Sequence, residues 1–411
     1  MDLPELLAPA GGMAQLKAAL RFGADAVYGA LPAFGLRAFA GNFTWEELEE
    51  ALALAHAEKK KFYLTLNILP YQDEMDALKE AARRACDLGV DAALVSDLGA
   101  FLMLRREVPQ LPLHISTQAN TLNAEAARFY FDQGAERIVL ARELSLQRIG
   151  ELRKQLPETL ALEAFVHGAM CMAWSGRCMI SAFLTGRSAN RGGCAQPCRW
   201  SYHLVEEKRP GEYFPVEEDD AGTTILSSHD LNCLDFLDQI MDAGITSFKL
   251  EGRMKSPYYV ATVTCAYRRR IDGILAGRAA PEEVALLQRE LNAVSHRAYS
   301  SGFYFGEMRR HAPDDGVYQQ DCVFVGVVRQ RLNNSRVRVE LRNRVCRGDV
   351  LEVLSPGCPG LRFPAENMTT PEGEDITQAV IPMSLFDMDA PQALSPGDML
   401  RIRVSASDAS L

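Results

Sequence analysis

A chain of 411 residues, 47% hydrophobic and 24% charged, has the balance of an ordinary globular protein and the length for two cores, since one domain rarely exceeds ~250 to 300 residues. Its start, MDLPELLAPAGG, has no basic segment followed by an apolar one, and no run approaches ~18 uninterrupted apolar residues, so export and membrane spanning are not expected and the chain reads as cytoplasmic. A net charge of -10 provides no global basic field, so contact with nucleic acid would depend on local basic patches.

The N-terminal part of the chain repeats one unit: an amphipathic helix, a closing Gly, then a short apolar run. GADAVYGA from Gly23, GVDAALVSD from Gly89, GAERIVLARE from Gly134 and GITSFKLEG from Gly244 all obey it. A helix that ends at a left-handed Gly and feeds about five apolar residues marks a strand buried on both faces of a parallel sheet. Strands are expected near residues 5–9, 25–29, 61–67, 92–96, 113–118, 137–141, 161–167 and 246–251, with helical patterns such as WEELEEALALAHAEKK from Trp45 between them. Eight such units predict an α/β fold, a (β/α)8 TIM-like barrel over residues 1–295, rather than an open doubly wound sheet. No glycine-rich dinucleotide or P-loop motif follows any strand. Residues 168–230 break the rhythm as a long cysteine-bearing insertion, and a loop of that length in a compact domain is usually functional. After a connector at 296–316, the stretches DCVFVGVVR, SRVRVELRN, GDVLEVLS and GDMLRIRVS alternate apolar and polar residues between turns, which predicts a small antiparallel β-barrel over 317–411.

The insertion carries the strongest chemical signal. Cys171, Cys178, Cys194 and Cys198 are separated by six, fifteen and three residues. In a reducing compartment clustered thiols suggest metal ligation, and four soft thiolates complete either a structural zinc site or an iron–sulfur cluster. The first gap exceeds the close spacing of a zinc knuckle, which tilts the reading toward the cluster and leaves zinc open. RGGCAQPCRW is too rich in Gly, Pro and Arg for a core strand, whereas Cys86, Cys265, Cys322, Cys346 and Cys358 stand alone on helix or strand patterns and read as packing residues. Cys233, at the start of the next helix, is a reserve ligand.

Barrel enzymes carry their chemistry at the C-terminal ends of the strands. The polar residues there include Asn67, Asp97, Asn120 and Glu143, with Gln118, Arg142, His167 and Glu251 as the catalytic candidates. The competing readings are helix capping for Gln118, Asn120 and Glu143, an ion pair for Arg142 and simple packing for His167. His167 precedes Cys171 by four residues, so it could tune a bound metal group or carry a proton near neutral pH. Arg177, Arg187 and Arg191, with Arg199, surround the cysteines, and Arg253 and Lys255 follow the eighth strand, where barrels often bind phosphate. These are the substrate-binding candidates, because guanidinium groups grip phosphates and carboxylates bidentately; the competing reading is a solvated basic face balancing VEEDD from Val216. Lys249 alternates with Phe248 and Leu250 and can point into the barrel, while Arg268, Arg269 and Arg270 read as surface charge.

The run EAFVHGAMCMAWSGRCMIS from Glu163 closely resembles the signature of the collagenase-like peptidase U32 family, and ELLAPAG, GADAVYGA, ISTQAN, ARELS and FKLEGRMKSPYY look similar to that family too. The length, RGGCAQPCRW and the single tail barrel look most like its prephenate-dependent tRNA wobble-uridine hydroxylases. That resemblance implies oxygen-independent C5 hydroxylation of a wobble uridine, with tRNA and prephenate as partners and an unidentified electron donor. It also implies a 4Fe–4S cluster on ligands that match Cys171, Cys178, Cys194 and Cys198, with Cys233 a departure from the pattern. Related members act on a ribosomal RNA cytidine or the ubiquinone ring, and they carry extra domains or lack this tail. A peptidase, which the family name suggests, finds no HExxH, no GxSxG and no nucleophile–base pair here, and Ser181 alone does not supply one.

Overall fold

The computed structural model describes residues 3–36, 41–171, 178–200, 204–205, 213–214, 229–278, 280–306, 318–356 and 360–404. Eight parallel strands close into a barrel: β1 (Glu5–Pro9), β2 (Ala26–Gly29), β3 (Lys61–Thr65), β4 (Ala92–Val95), β5 (Leu113–Ile115), β6 (Arg137–Val139), β7 (Ala161–Ala169) and, after the short antiparallel β8 (Asp230–Asn232), β9 (Ser247–Leu250). Closure comes from β9, which pairs with both neighbours and sets Ser247 beside Glu163 of β7 and Glu5 of β1. Strands β2 and β4 are buried along their whole length, as the continuous apolar runs require.

The outer helices are α1 (Met13–Arg21), α2 (Trp45–Ala57), α3 (Met75–Asp87), α4 (Leu98–Glu107), α5 (Ala124–Asp132) and α6 (Leu146–Arg153), then α7 (Ile180–Thr185) within the insertion, α8 (Leu237–Asp242), α9 (Pro257–Leu275) and α10 (Pro281–Leu291). Their ends follow local chemistry. Thr44 and Glu47 form a capping box on α2, and Asp97, Asn123, Ser145 and Ser256 each accept a first-turn N–H of the helix they open. Gln118, Asn120 and Glu143 therefore cap none of these helices. The four closing glycines all take positive φ, between 87° and 100°.

Strand β7 overshoots the barrel rim, and its last residues pair antiparallel with β8, Asn232 opposite His167 and Asp230 opposite Ala169. Strand β10 (Tyr299–Ser300) adds to the far side of β8. Both ends of the insertion are thus fastened at the C-terminal mouth.

Inside the barrel the expected inward turn of Lys249 is realised. Its Nζ donates to Glu163 Oε1 at 2.7 Å, and Glu163 Oε2 accepts from Arg137 Nη1 at 3.0 Å and Ser247 Oγ at 3.1 Å. Arg137 also donates to Glu5, which accepts from Tyr63 Oη at 2.7 Å.

The main sheet of the tail has six antiparallel strands among the described residues, β11 (Cys322–Arg331), β12 (Arg336–Leu341), β13 (Val350–Leu354), β14 (Arg362–Pro364), β15 (Leu385–Asp389) and β16 (Met399–Arg403), beside a short two-stranded pair, Val345–Cys346 with Gln378–Ala379. They lie in the order β14-β13-β16-β11-β12-β15 and curl into a half-barrel over a core that includes Val325, Val337, Leu351 and Leu400. Arg401 seals it to the barrel: fully buried, it donates to Glu290 of α10 at 2.7 and 2.8 Å and to Glu352 of β13 at 2.9 Å. Arg270, expected on the surface, is buried as well, its Nε donating to Leu234 O at 3.0 Å, because α9 lies between the barrel and α10.

Candidate active site at the C-terminal mouth

Three strand ends build a polar floor. Asn67 after β3, Ser96 after β4 and Ser116 after β5 all converge on Gln118, whose Oε1 accepts from Asn67 Nδ2 at 3.2 Å, from Ser96 Oγ at 3.4 Å and from Ser116 Oγ. Asn67 Oδ1 in turn accepts the Leu36 N–H at 3.2 Å. Three donors on one oxygen fix the Gln118 amide and leave its NH2 without a partner among the described residues, half-exposed and available to a ligand. Ser96 and Ser116 were not singled out from sequence; their place directly after apolar strands was the available signal.

Arg253 does not stand free for substrate. It is buried, donates to Thr65 Oγ1 at 2.8 Å and to Leu36 O, and ties the segment after β2 to the rim. The backbone of Arg253 packs closely on Gly11, where a Cβ would meet Arg253 O at 2.1 Å. Lys255 is half-buried, donates to Ser295 O at 3.0 Å and lies 5.0 Å from the Tyr259 ring.

The end of β7 gathers the other candidates. Arg142 lies 3.7 Å over the Phe165 ring and donates to Ala169 O at 2.8 Å, two residues before Cys171, so it grips the neck of the cysteine loop. Beside it, burial raises the Glu143 carboxyl above its ordinary value, and Glu143 Oε2 is buried without a partner. Glu251 is half-buried, and its N–H donates to His167 O at 2.9 Å. Gly168 makes that approach feasible, since a Cβ on it would meet Glu251 O at 2.6 Å.

His167 itself is not a proton carrier near neutral pH. It is 1% exposed in a cage of Tyr259, Tyr267 and Tyr299, with ring centroids 6.1, 5.4 and 5.5 Å away. Burial, with His296 and Lys255 nearby, pushes its pKa down to about 3, so the imidazole is neutral, with Nδ1 3.4 Å from Tyr267 Oη and Nε2 unpartnered. Sequence reasoning missed the tyrosines; Tyr259 and Tyr267, eight apart on one apolar helix, carried the signal.

None of the nine cysteines among the described residues is joined in a disulfide; Cys358 lies outside them. Cys171 is exposed, and Cys178, Cys194 and Cys198 are partly exposed on the insertion, as ligands to an added group would be. The Gln196 N–H donates to Cys194 Sγ at 3.3 Å. Four accessible thiols on one loop suit an iron–sulfur cluster chemically; among the described residues, no three His, Cys, Asp or Glu side chains are drawn together as a metal site. Cys233 fails as a reserve ligand. It is fully buried in the barrel core, and burial holds its thiol well above the ordinary range, the opposite of what a thiolate ligand needs.

Ser181 is likewise buried, its hydroxyl donating to Arg187 O at 2.7 Å and accepting from Ala195 N at 2.9 Å, so it braces the loop rather than attacking a substrate. Arg191 is spent on Glu74 after β3, with Nη1 to Oε2 at 2.7 Å and a second bond from Nη2, and lies 4.9 Å over the Tyr71 ring. That pair docks the insertion on the rim and holds the Glu74 carboxyl down to about 2. Arg187 is exposed with Nε bonded to Gly193 O at 2.9 Å, and Arg177 lies outside the described residues. No helix among the described residues is long and apolar enough to cross a membrane.

Residues 11–313 match the model of peptidase family U32, and residues 320–401 match that of the peptidase family U32 C-terminal domain. The chain is similar to the tRNA hydroxylation protein P of Escherichia coli (strain K12), 34% identical over 91% of each chain. It is also 34% identical to a tRNA hydroxylation protein of Bacillus subtilis (strain 168), over 97% of this chain and 94% of that one. A collagenase of Porphyromonas gingivalis is 35% identical over 74% of each.

Proposed function

The chain belongs to peptidase family U32, and from that premise we propose that it is a tRNA-hydroxylating enzyme acting at C5 of a wobble uridine, with prephenate as co-substrate. The observation that carries the reading is near full-length similarity, tail domain included, to two tRNA hydroxylation proteins. The collagenase shares less of the chain, the buried Ser181 is already doubly bonded, and His167 is shut away from substrate with its pKa down to about 3, so neither suits a peptidase's nucleophile or base.

In this reading Cys171, Cys178, Cys194 and Cys198 hold a 4Fe–4S cluster, which supplies single electrons from an external donor. The rest falls to protein groups. The Gln118 NH2 and the Arg142 guanidinium are hydrogen-bond donors for a carboxylate or a pyrimidine carbonyl, and Glu143, whose carboxyl burial raises above its ordinary value, stands beside them with Oε2 unpartnered among the described residues. The exposed Arg187 is a contact for the RNA backbone, so binding weakens as salt rises.

The test is anaerobic purification with iron and sulfide analysis, repeated on a Cys194→Ser variant, and mass spectrometry of tRNA from a deletion strain. Brown protein with matched iron and sulfide, depleted in the variant, and loss of 5-oxy modification at wobble uridine are expected. Colourless protein with one tight zinc would overturn the cluster, and a loss confined to ribosomal RNA would overturn the substrate.

A further inference from the structure

The opposite, N-terminal face of the barrel holds a cavity of about 630 Å³, lined in part by Lys61, Tyr63, His114, Phe131, Glu136 and Arg137. That is within the ~300 to 1,000 Å³ of small-molecule sites and far above the ~30 Å³ share of one water. Tyr63 and Phe131 add apolar surface.

Charge selects the ligand. The Arg137 guanidinium is already balanced by Glu5 and Glu163, and the Asp91 carboxylate, also in the lining, accepts from the Phe62 N–H at 2.7 Å and pairs with His56 at 3.0 Å. Two further charged side chains line the cavity, Lys61 at the start of β3 and Glu136 before β6, both exposed and without a side-chain partner among the described residues. A dianion would meet Glu136 with no second free cation to offset it.

We propose that this cavity binds a small zwitterion, the size of an amino acid or dipeptide, its carboxylate at Lys61 and its ammonium at Glu136. The site lies at the end of the barrel remote from the cysteine loop, so it is separate from the hydroxylation chemistry and does not depend on that reading.

The experiment is calorimetric and saturation-transfer NMR titration of the full chain with the free amino acids, a set of dipeptides, their N-acetyl amides and inorganic phosphate. Saturable binding of at least one free zwitterion is expected, abolished by N-acetylation and weakened roughly tenfold or more by Lys61→Ala and by Glu136→Ala. Both side chains are exposed, so unchanged circular dichroism should accompany the loss. No saturable zwitterion binding at millimolar concentration, equal binding of the N-acetyl amides, phosphate alone as ligand, or undiminished affinity in both variants would each overturn the proposal.

Discussion

Replacing Glu163 by Gln removes the carboxylate that pairs with Lys249 inside the barrel. The carboxylate is fully buried and receives Lys249 at 2.7 Å, Arg137 at 3.0 Å and Ser247 at 3.1 Å. A Gln side chain must turn its NH2 toward one of these donors and leaves the ammonium uncompensated. Arg137 keeps Glu5, so the penalty falls on Lys249, whose pKa burial already lowers below its ordinary 10.5. Breaking a buried pair on one side costs ~3 to 5 kcal/mol, and that is the expected loss at pH 7 in urea denaturation with an unchanged m-value. The sign of the pH response follows. The buried ammonium sheds its proton in the variant while the unfolded chain keeps one up to about pH 10.5, so the variant should gain stability as pH rises toward that value. Adding Lys249→Met removes the stranded charge, and the double variant should be less destabilised than the sum of the singles by at least ~2 kcal/mol. Additivity within ~0.5 kcal/mol would refute the coupling.

Two other substitutions probe burial elsewhere. His167 protonates near 3 in the folded chain against 6.5 when free, so the unfolded state binds more protons between those values and stability falls as pH falls through them. His167→Phe should flatten that acid limb by up to ~1.4 kcal/mol per pH unit, leaving the part due to His114, which burial also holds neutral; an unchanged slope in denaturation from pH 7 to pH 4 would contradict the assignment. Arg401→Met removes the buried partner of Glu290 and Glu352, leaving Arg403 3.0 Å and Arg362 2.9 Å from Glu352 and Arg403 3.9 Å from Glu290, and should cost ~3 kcal/mol and separate tail unfolding from barrel unfolding in calorimetry. Glu290→Gln in the same chain should recover part of the loss.

Patterns that depend on near neighbours were legible in the chain itself. The closing glycines, the apolar runs and the alternation of the tail are short-range consequences of backbone sterics and burial, and they indicated the eight-stranded barrel and an antiparallel tail, which curls into a half-barrel rather than the small barrel expected. The cysteine spacing is local in the same way. Partnership across the fold was not legible. Arg191 and Arg253 looked like anion-binding residues until Glu74 and Thr65, far away in sequence, were brought beside them. His167 and Cys233 looked reactive until the tyrosine cage and the barrel core took them out of water. Glu163, silent in a hydrophobic run, became the counter-ion of Lys249 only when β7 and β9 closed the barrel. Pairing, burial and the proton affinities they set are properties of surroundings assembled from several strands, and only the tertiary structure supplies those surroundings.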